Sequence, residues 1–177
     1  MLGTLLDLVE VDPGWEESFE AAAGEALSAV VVADVDAARR SLASLRQGDH
    51  NGAVLALDGV AGTSASPPPV GEPVRRHVRA LGRDGAAAGI ERVLDALLSS
   101  AVAIEGGWEQ AVPIAAQHPS AVVVTRGGDR FGISGWRIGA ARSGATGAAL
   151  DEARARTESS LVARDRVREQ VEAVRGT

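Results

Sequence analysis

Residues Leu27-Ser28-Ala29-Val30-Val31-Val32-Ala33-Asp34 return later in the chain as Leu98-Ser99-Ser100-Ala101-Val102-Ala103-Ile104-Glu105. Each copy is a short apolar run closed by a carboxylate. Each follows a segment with helical spacing, and each is followed by a second helical segment and another apolar run. A helix–strand–helix–strand order that occurs twice predicts two similar α/β halves around a pseudo-axis.

The rest of the chain fits around this echo. Leu5 to Val11 reads as a short strand ending in the turn Asp12–Pro13–Gly14. Asp12 is placed to cap the next helix, with Pro13 in its first turn. Trp15, Phe19, Ala22, Ala23, Ala26 and Leu27 then fall at helical spacing. Asp34 or Asp36 caps a second helix, whose expected apolar face is Ala37, Ala38, Leu42 and Leu45. Ala53 to Leu57 is a strand. Residues 58–73 are small, polar and proline-rich, which marks a long loop or a linker between lobes. Val74, Val78 and Leu81 form a strand or one helical turn, with Arg75, Arg76 and Arg79 expected outside. Residues 89–100 are helical, Ala101–Ile104 is a strand, and Trp108–Ala116 is a helix expected to break or bend near Pro113. From Ala148 to Val174 runs a long helix of alternating charge with a thin apolar stripe at Leu150, Leu161, Val167, Val171 and Val174, the pattern of a coiled-coil strand.

Between the last short helix and the charged one lies the stretch richest in possible function. Val122, Val123 and Val124 form a buried-strand signal, and Gly127–Gly128–Asp129 a turn. Gly132, Gly135, Gly139 and Gly144 follow, with Arg126, Arg130, Arg137 and Arg142 threaded among them. Glycine allows close backbone approach and unusual φ. Three uses suit that composition: a phosphate cradle, a bulged rim, or backbone docking onto a second chain. The segment from Gly139 to Thr146 has the glycine spacing of a phosphate-binding loop, but Ala145 stands where that loop needs lysine. The chain has no lysine; all 18 basic residues are arginine.

Composition removes several chemistries. With no cysteine there are no disulfides, thiolate metal sites or cysteine nucleophiles. His50, His77 and His118 are far apart and read as loop or surface histidines rather than a metal set. Ser64 and Ser66 lie in the proline-rich loop, where a nucleophile is not held rigidly. Asp34, Asp36 and Glu105 follow strands, but helix capping accounts for them. Aromatics are only 3%, which disfavours base-stacking platforms. No apolar run reaches the ~18 residues of a membrane span, and no signal peptide is visible, so a cytoplasmic protein is expected. Net charge is −6, so any contact with a polyanion must be local. The arginines at 126, 130, 137 and 142, with Arg75, Arg76 and Arg79, are either such a basic face or ordinary solvated charge.

The ordered set Leu5-Leu6-Asp7-Leu8-Val9-Glu10-Val11, Gly14-Trp15-Glu16, Ala23-Gly24-Glu25-Ala26-Leu27, Val30-Val31-Val32, Asp36-Ala37-Ala38-Arg39 and Val124-Thr125-Arg126-Gly127-Gly128-Asp129 resembles the hinge domain of bacterial SMC proteins, the chromosome-condensation ATPases. The likeness covers roughly residues 3–145. Where the family usually has paired glycines, Ser134–Gly135 and Gly139–Ala140 keep one each.

The resemblance implies a mixed α/β (α+β) fold of two lobes with pseudo-repeated α/β halves. The hinge-like domain would span residues 1–147, with lobe I at about 1–58, a linker at 59–73 and lobe II at 74–147. The start of a coiled-coil arm would follow at 148–177. The implied function is non-catalytic: homodimerisation through Gly132, Ser134, Gly135, Trp136, Ile138 and Gly139, joining two coiled-coil arms, with sequence-independent DNA contact through Arg126, Arg130, Arg137 and Arg142. No cofactor or metal is expected here. ATP and Mg²⁺ belong to the heads of a full-length parent, which would also bind kleisin-complex subunits at the nucleoid and no membrane. The readings that stand against it are a small-molecule or anion-binding α/β domain and a structural dimerisation spacer without DNA affinity.

Overall fold

The structure is a computed structural model that describes residues 2–60, 68–82 and 85–139. They belong to the compact unit Met1–Ala140. Arg142, the phosphate-loop-like spacing that starts at Gly139, and the charged helix expected at 148–177 lie outside the described residues.

The doubled order in the sequence is the order of the fold. The first half runs β1 (Gly3–Thr4), a 3-10 turn (Leu6–Leu8), β2 (Val9–Val11), α1 (Glu16–Ala23), a second 3-10 turn (Gly24–Ser28), β3 (Val30–Val32), α2 (Val35–Gln47) and β4 (Val54–Ala56). The second half runs β5 (Glu72–Pro73), a 3-10 turn (Val74–His77), β6 (Val78–Ala80), α3 (Gly85–Leu98), β7 (Ala101–Ile104), α4 (Trp108–Gln117) and β8 (Val122–Thr125). It then adds a hairpin, β9 (Arg130–Gly132) and β10 (Gly135–Arg137). In each half the first strand lies antiparallel to the third: β1 on β3 and β5 on β7. The third is parallel to the fourth, β3 with β4 and β7 with β8. The sheets are ordered β1-β3-β4 and β10-β9-β8-β7-β5.

The halves meet on β2 and β6, an antiparallel pair with Val9 opposite Ala80, Glu10 opposite Arg79 and Val11 opposite Val78. Two equivalent strands paired this way are related by a two-fold at the middle residue pair. There Arg79 Nε donates to Glu10 Oε2 at 3.2 Å.

The halves also exchange helices. Helix α1 belongs to the first half by sequence, yet Ser18 Oγ, fully buried, donates to the Thr125 carbonyl on β8 at 3.1 Å. Helix α3 of the second half reaches back to the first. A Cβ at Gly89 would stand 3.0 Å from Leu57 Cβ, so only glycine allows that approach without displacement. One core therefore collects Leu5, Val9, Trp15, Phe19, Val31 and Leu57 with Val74, Val78, Ile90, Leu94 and Val124. A second cluster, Val102, Ile104, Ala111, Ala115, Val123 and Phe131, fills the α4 side of the larger sheet. Alternation along β8 explains the division: Val123 faces one cluster and Val124 the other.

Several local expectations are corrected. The Leu5–Val11 run is not one strand, because a 3-10 turn at Leu6–Leu8 divides it. Asp12 does not cap α1; that helix starts at Glu16, and the Asp12 carboxylate holds Arg79 and His77 instead. Asp34 does cap α2, its Oδ1 accepting from the Ala37 N–H at 2.6 Å, but Leu42 is exposed rather than inward. Helix α4 continues through Pro113. Arg75 does not face out: it is half-buried, paired with Glu91, and donates from Nε to Asp95 Oδ1 at 2.6 Å.

Candidate functional site

The terminal hairpin carries every interface residue expected from the sequence except Ile138 and Gly139, which follow it directly. Its register places Gly135 opposite Gly132, Trp136 opposite Phe131 and Arg137 opposite Arg130. Strand β9 is antiparallel to β8 through Val123–Phe131 and Val124–Arg130, so among the described residues β10 is one edge of the five-stranded sheet. Phe131 points into the α4-side core, and Trp136 lies edge-on to it at 5.8 Å. Gly135 sits at φ +121°, a backbone shape that L side chains rarely adopt. Edge strands present unpaired N–H and C=O groups. Around this edge stand Ile133, Trp136 and Ile138, which are 95%, 58% and 63% exposed. Three large apolar side chains in six residues, at an edge unpaired among the described residues, form a patch of the kind that marks contact surfaces.

The hairpin is held at both ends by one carboxylate. Asp129 Oδ2 accepts from the Thr125 hydroxyl at 2.9 Å, and the Asp129 N–H donates to Thr125 Oγ1 at 3.1 Å. Asp129 Oδ1 accepts from the Gly139 N–H at 2.6 Å. The Val-Thr…Gly-Asp pattern is thus a brace that fixes where β10 ends. Sequence reading singled out the pattern but not this role. Reciprocal side-chain bonding between residues four apart around Gly127–Gly128 is its local signal.

The four arginines assigned to DNA contact are placed differently. The Arg126 guanidinium lies 3.5 Å from the centre of the Trp15 ring, donates to the Gly14 carbonyl at 3.1 Å and approaches Glu105 at 3.8 Å. It ties the larger sheet to the start of α1. Arg130 and Arg137 face each other across the hairpin, with Arg130 Nη1 donating to Ser134 Oγ at 2.6 Å. Arg142 is outside the described residues.

On the seam between the halves, His77 is not a loop histidine. Its ring stacks on Trp15 at 3.5 Å with an 8° interplanar angle. Nδ1 is 3.1 Å from Asp12 and Nε2 is 2.9 Å from Glu72. No spacing in the sequence announces this cluster, because its members meet only after β2 pairs with β6. Arg79 first, and His77 second, hold the Asp12 carboxyl below the ordinary carboxylate range. A carboxyl with a depressed folded pKa adds stability above its unfolded value, near ~4, and loses that contribution as pH falls through the folded value. Asp12→Asn is therefore expected to flatten the acid limb of the stability profile below about pH 4; thermal melts over that range check it, and an unchanged acid limb would remove Asp12 from the account.

Among the described residues no cluster of three His, Asp or Glu side chains could hold a metal ion, and no helix is long and apolar enough to cross a membrane.

With doubled α/β halves, a β2–β6 seam and a terminal edge hairpin in view, comparison with known proteins identifies the class. The family model described as SMC proteins Flexible Hinge Domain matches residues 1–102. The chain belongs to that family. It is similar to the Chromosome partition protein Smc of Mycolicibacterium paratuberculosis, 32% identical over 140 residues, which is 78% of this chain and 11% of that relative. It therefore spans only a small part of the length of that relative. Among solved structures it is similar to the Pyrococcus furiosus SMC protein hinge domain, at TM-score 0.62 and 25% identity, covering 79% of this chain and 74% of that one. It shares its fold with the hinge in an asymmetric dimer of the Geobacillus stearothermophilus SMC hinge domain, at TM-score 0.63 and 22% identity, covering 91% and 72%.

Proposed function

We propose that this hinge domain homodimerises and joins the two long arms of an SMC protein of the chromosome-partition kind. The observation that carries the reading is two sheet edges, β4 on one sheet and β10 on the other, that have no further strand beside them among the described residues. The repeat makes β4 the counterpart of β8. Beside β8 the chain places its own β9; beside β4, among the described residues, no strand pairs on the far side. A second copy's β10 suits that place by strand addition. A two-fold repeats the contact with the roles of the chains exchanged, so two junctions close the pair into a ring. Gly132, Ser134, Gly135 and Gly139 keep side-chain bulk off this edge, while Trp136 and Ile138, with Ile133, supply apolar area to cover.

DNA contact is the second part of the reading, carried by Arg130 and Arg137 with Arg126 and Arg142 as sequence-independent phosphate contacts. The ATPase heads that use ATP and Mg²⁺ belong to a longer parent protein, which binds kleisin-complex subunits and acts at the nucleoid in the cytoplasm. No residue here is assigned to them.

The absence of cysteine gives a clean test of the junction. Chains carrying Ala53→Cys, just before β4, are mixed with chains carrying Ile138→Cys, just after β10 and beside it in an antiparallel pair, and treated with a short bis-maleimide. Cross-linked dimers are expected from the mixture and not from either variant alone. A mixture that stays uncross-linked, or cross-linking of the Ile138→Cys chains among themselves as readily, contradicts β4–β10 pairing.

A further inference from the structure

Arg130 and Arg137 stand directly opposite each other on β9 and β10, so two like charges share one face of the hairpin. Such pairs are unfavourable in isolation. Arg130 Nε, Arg137 Nε and Arg137 Nη2 are all buried from solvent and have no hydrogen-bond partner. Neither arginine forms an ion pair among the described residues. The adjacent carboxylate, Asp129, is engaged elsewhere, with Oδ2 on the Thr125 hydroxyl and Oδ1 on the Gly139 N–H. Among the described residues the side-chain hydrogen bond of Arg130 runs from Nη1 to Ser134 Oγ, which fixes that guanidinium without neutralising it. The other arginines around the core behave differently: Arg75, Arg79 and Arg126 all have carboxylate partners.

Buried donors are almost always satisfied, and an exception is explained by strain, by function or by a missing partner. Three such donors on two facing cations point to a missing anion. From this geometry we infer that Arg130 and Arg137 form a seat for a phosphate-type oxyanion. Guanidinium groups present forked donors that match phosphate oxygens, and two forks suit a tetrahedral group with several acceptors better than a carboxylate with two. The same chemistry is offered by free phosphate and by the backbone of DNA. The seat itself stands on the geometry of a single chain. It rests on the foregoing reading only in taking DNA as one source.

The test uses inorganic phosphate as the probe, against chloride at matched ionic strength. The unmodified chain is expected to melt at higher temperature in phosphate, with one site per chain by calorimetry. R137Q and R130Q are expected to lose that shift and to bind phosphate about tenfold or more weakly, as loss of a charge-assisted fork requires. R137K keeps the charge without the fork and is expected to fall short of the unmodified chain. No difference between phosphate and chloride, or a full shift retained in R137Q, overturns the seat, as does full binding by R137K. Should R137Q fail to fold, phosphate titration of the unmodified chain followed by NMR decides the matter: shifts centred on the Arg130 and Arg137 Nε–H signals support the seat, and their absence overturns it. A short duplex that competes with phosphate identifies DNA as the source; phosphate binding undisturbed by the duplex identifies the free ion. Oligomeric state is read separately by light scattering, so failure of the seat and failure of the dimer are distinguishable.

Discussion

Ile138→Glu is expected to convert the proposed dimer to a folded monomer. Ile138 is 63% exposed immediately after β10, so its replacement removes nothing from the core. In the proposed dimer it would be covered, and a carboxylate there would be left without a partner. Central interface anchors typically contribute about 2 kcal/mol or more each. The two-fold places the change at both junctions, for a total near ~4 kcal/mol, or on the order of a thousandfold in Kd. Light scattering should show the monomer, with circular dichroism unchanged. Trp136→Glu should act in the same direction, with some loss of stability because the indole also packs against Phe131. Gly135 is the poorer position for such a test. At φ +121° any side chain strains the strand, so a lost dimer there would mix backbone distortion with loss of contact. A variant carrying Ile138→Glu that remained a dimer would place the interface elsewhere.

The second large effect is on folding. Phe19 on α1 is fully buried in the core that both halves share. Phe19→Ala should cost about 3–5 kcal/mol through lost burial and an unfilled cavity. That is a large fraction of the ~5–15 kcal/mol that stabilises a typical domain. Because α1 covers β8 while α3 packs on Leu57, the loss should lower a single transition and not melt one half alone. Denaturant unfolding followed by fluorescence and by far-ultraviolet dichroism should give coincident curves. Separate transitions for the two sheets would contradict a core in common. Ser18→Ala, which removes only the hydroxyl that reaches the Thr125 carbonyl, should cost about 1 kcal/mol.

The strands that the sequence made most legible are those buried on both faces. Val30–Val32 and Ala101–Ile104 are runs of small and β-branched residues without polar interruption, and such runs have few other uses. The echo between them also predicted the order of the second half correctly. What stayed hidden was everything decided across the seam. Leu5–Val11 is apolar at both strand and helix periods, so its 3-10 turn had no distinguishing pattern. Arg75 looked like surface charge, because Glu91 and Asp95 approach it only once α3 has docked. His77 and Trp15 are far apart in sequence and become a stacked pair through the β2–β6 register. Leu42 fits the apolar periodicity of α2 yet is half exposed. The glycines mark the hairpin as a candidate contact stretch. Arg130 and Arg137 stand among the candidate DNA contacts, but their opposition was not legible, since it depends on where the turn at Ile133–Ser134 falls.

The most direct measurement is the mass of the unmodified chain in solution by size-exclusion chromatography with light scattering. Pairing of β10 with a second copy's β4 predicts a particle of twice the 18.1 kDa chain mass at micromolar concentration. A particle of 18.1 kDa that persists as concentration is raised would contradict it.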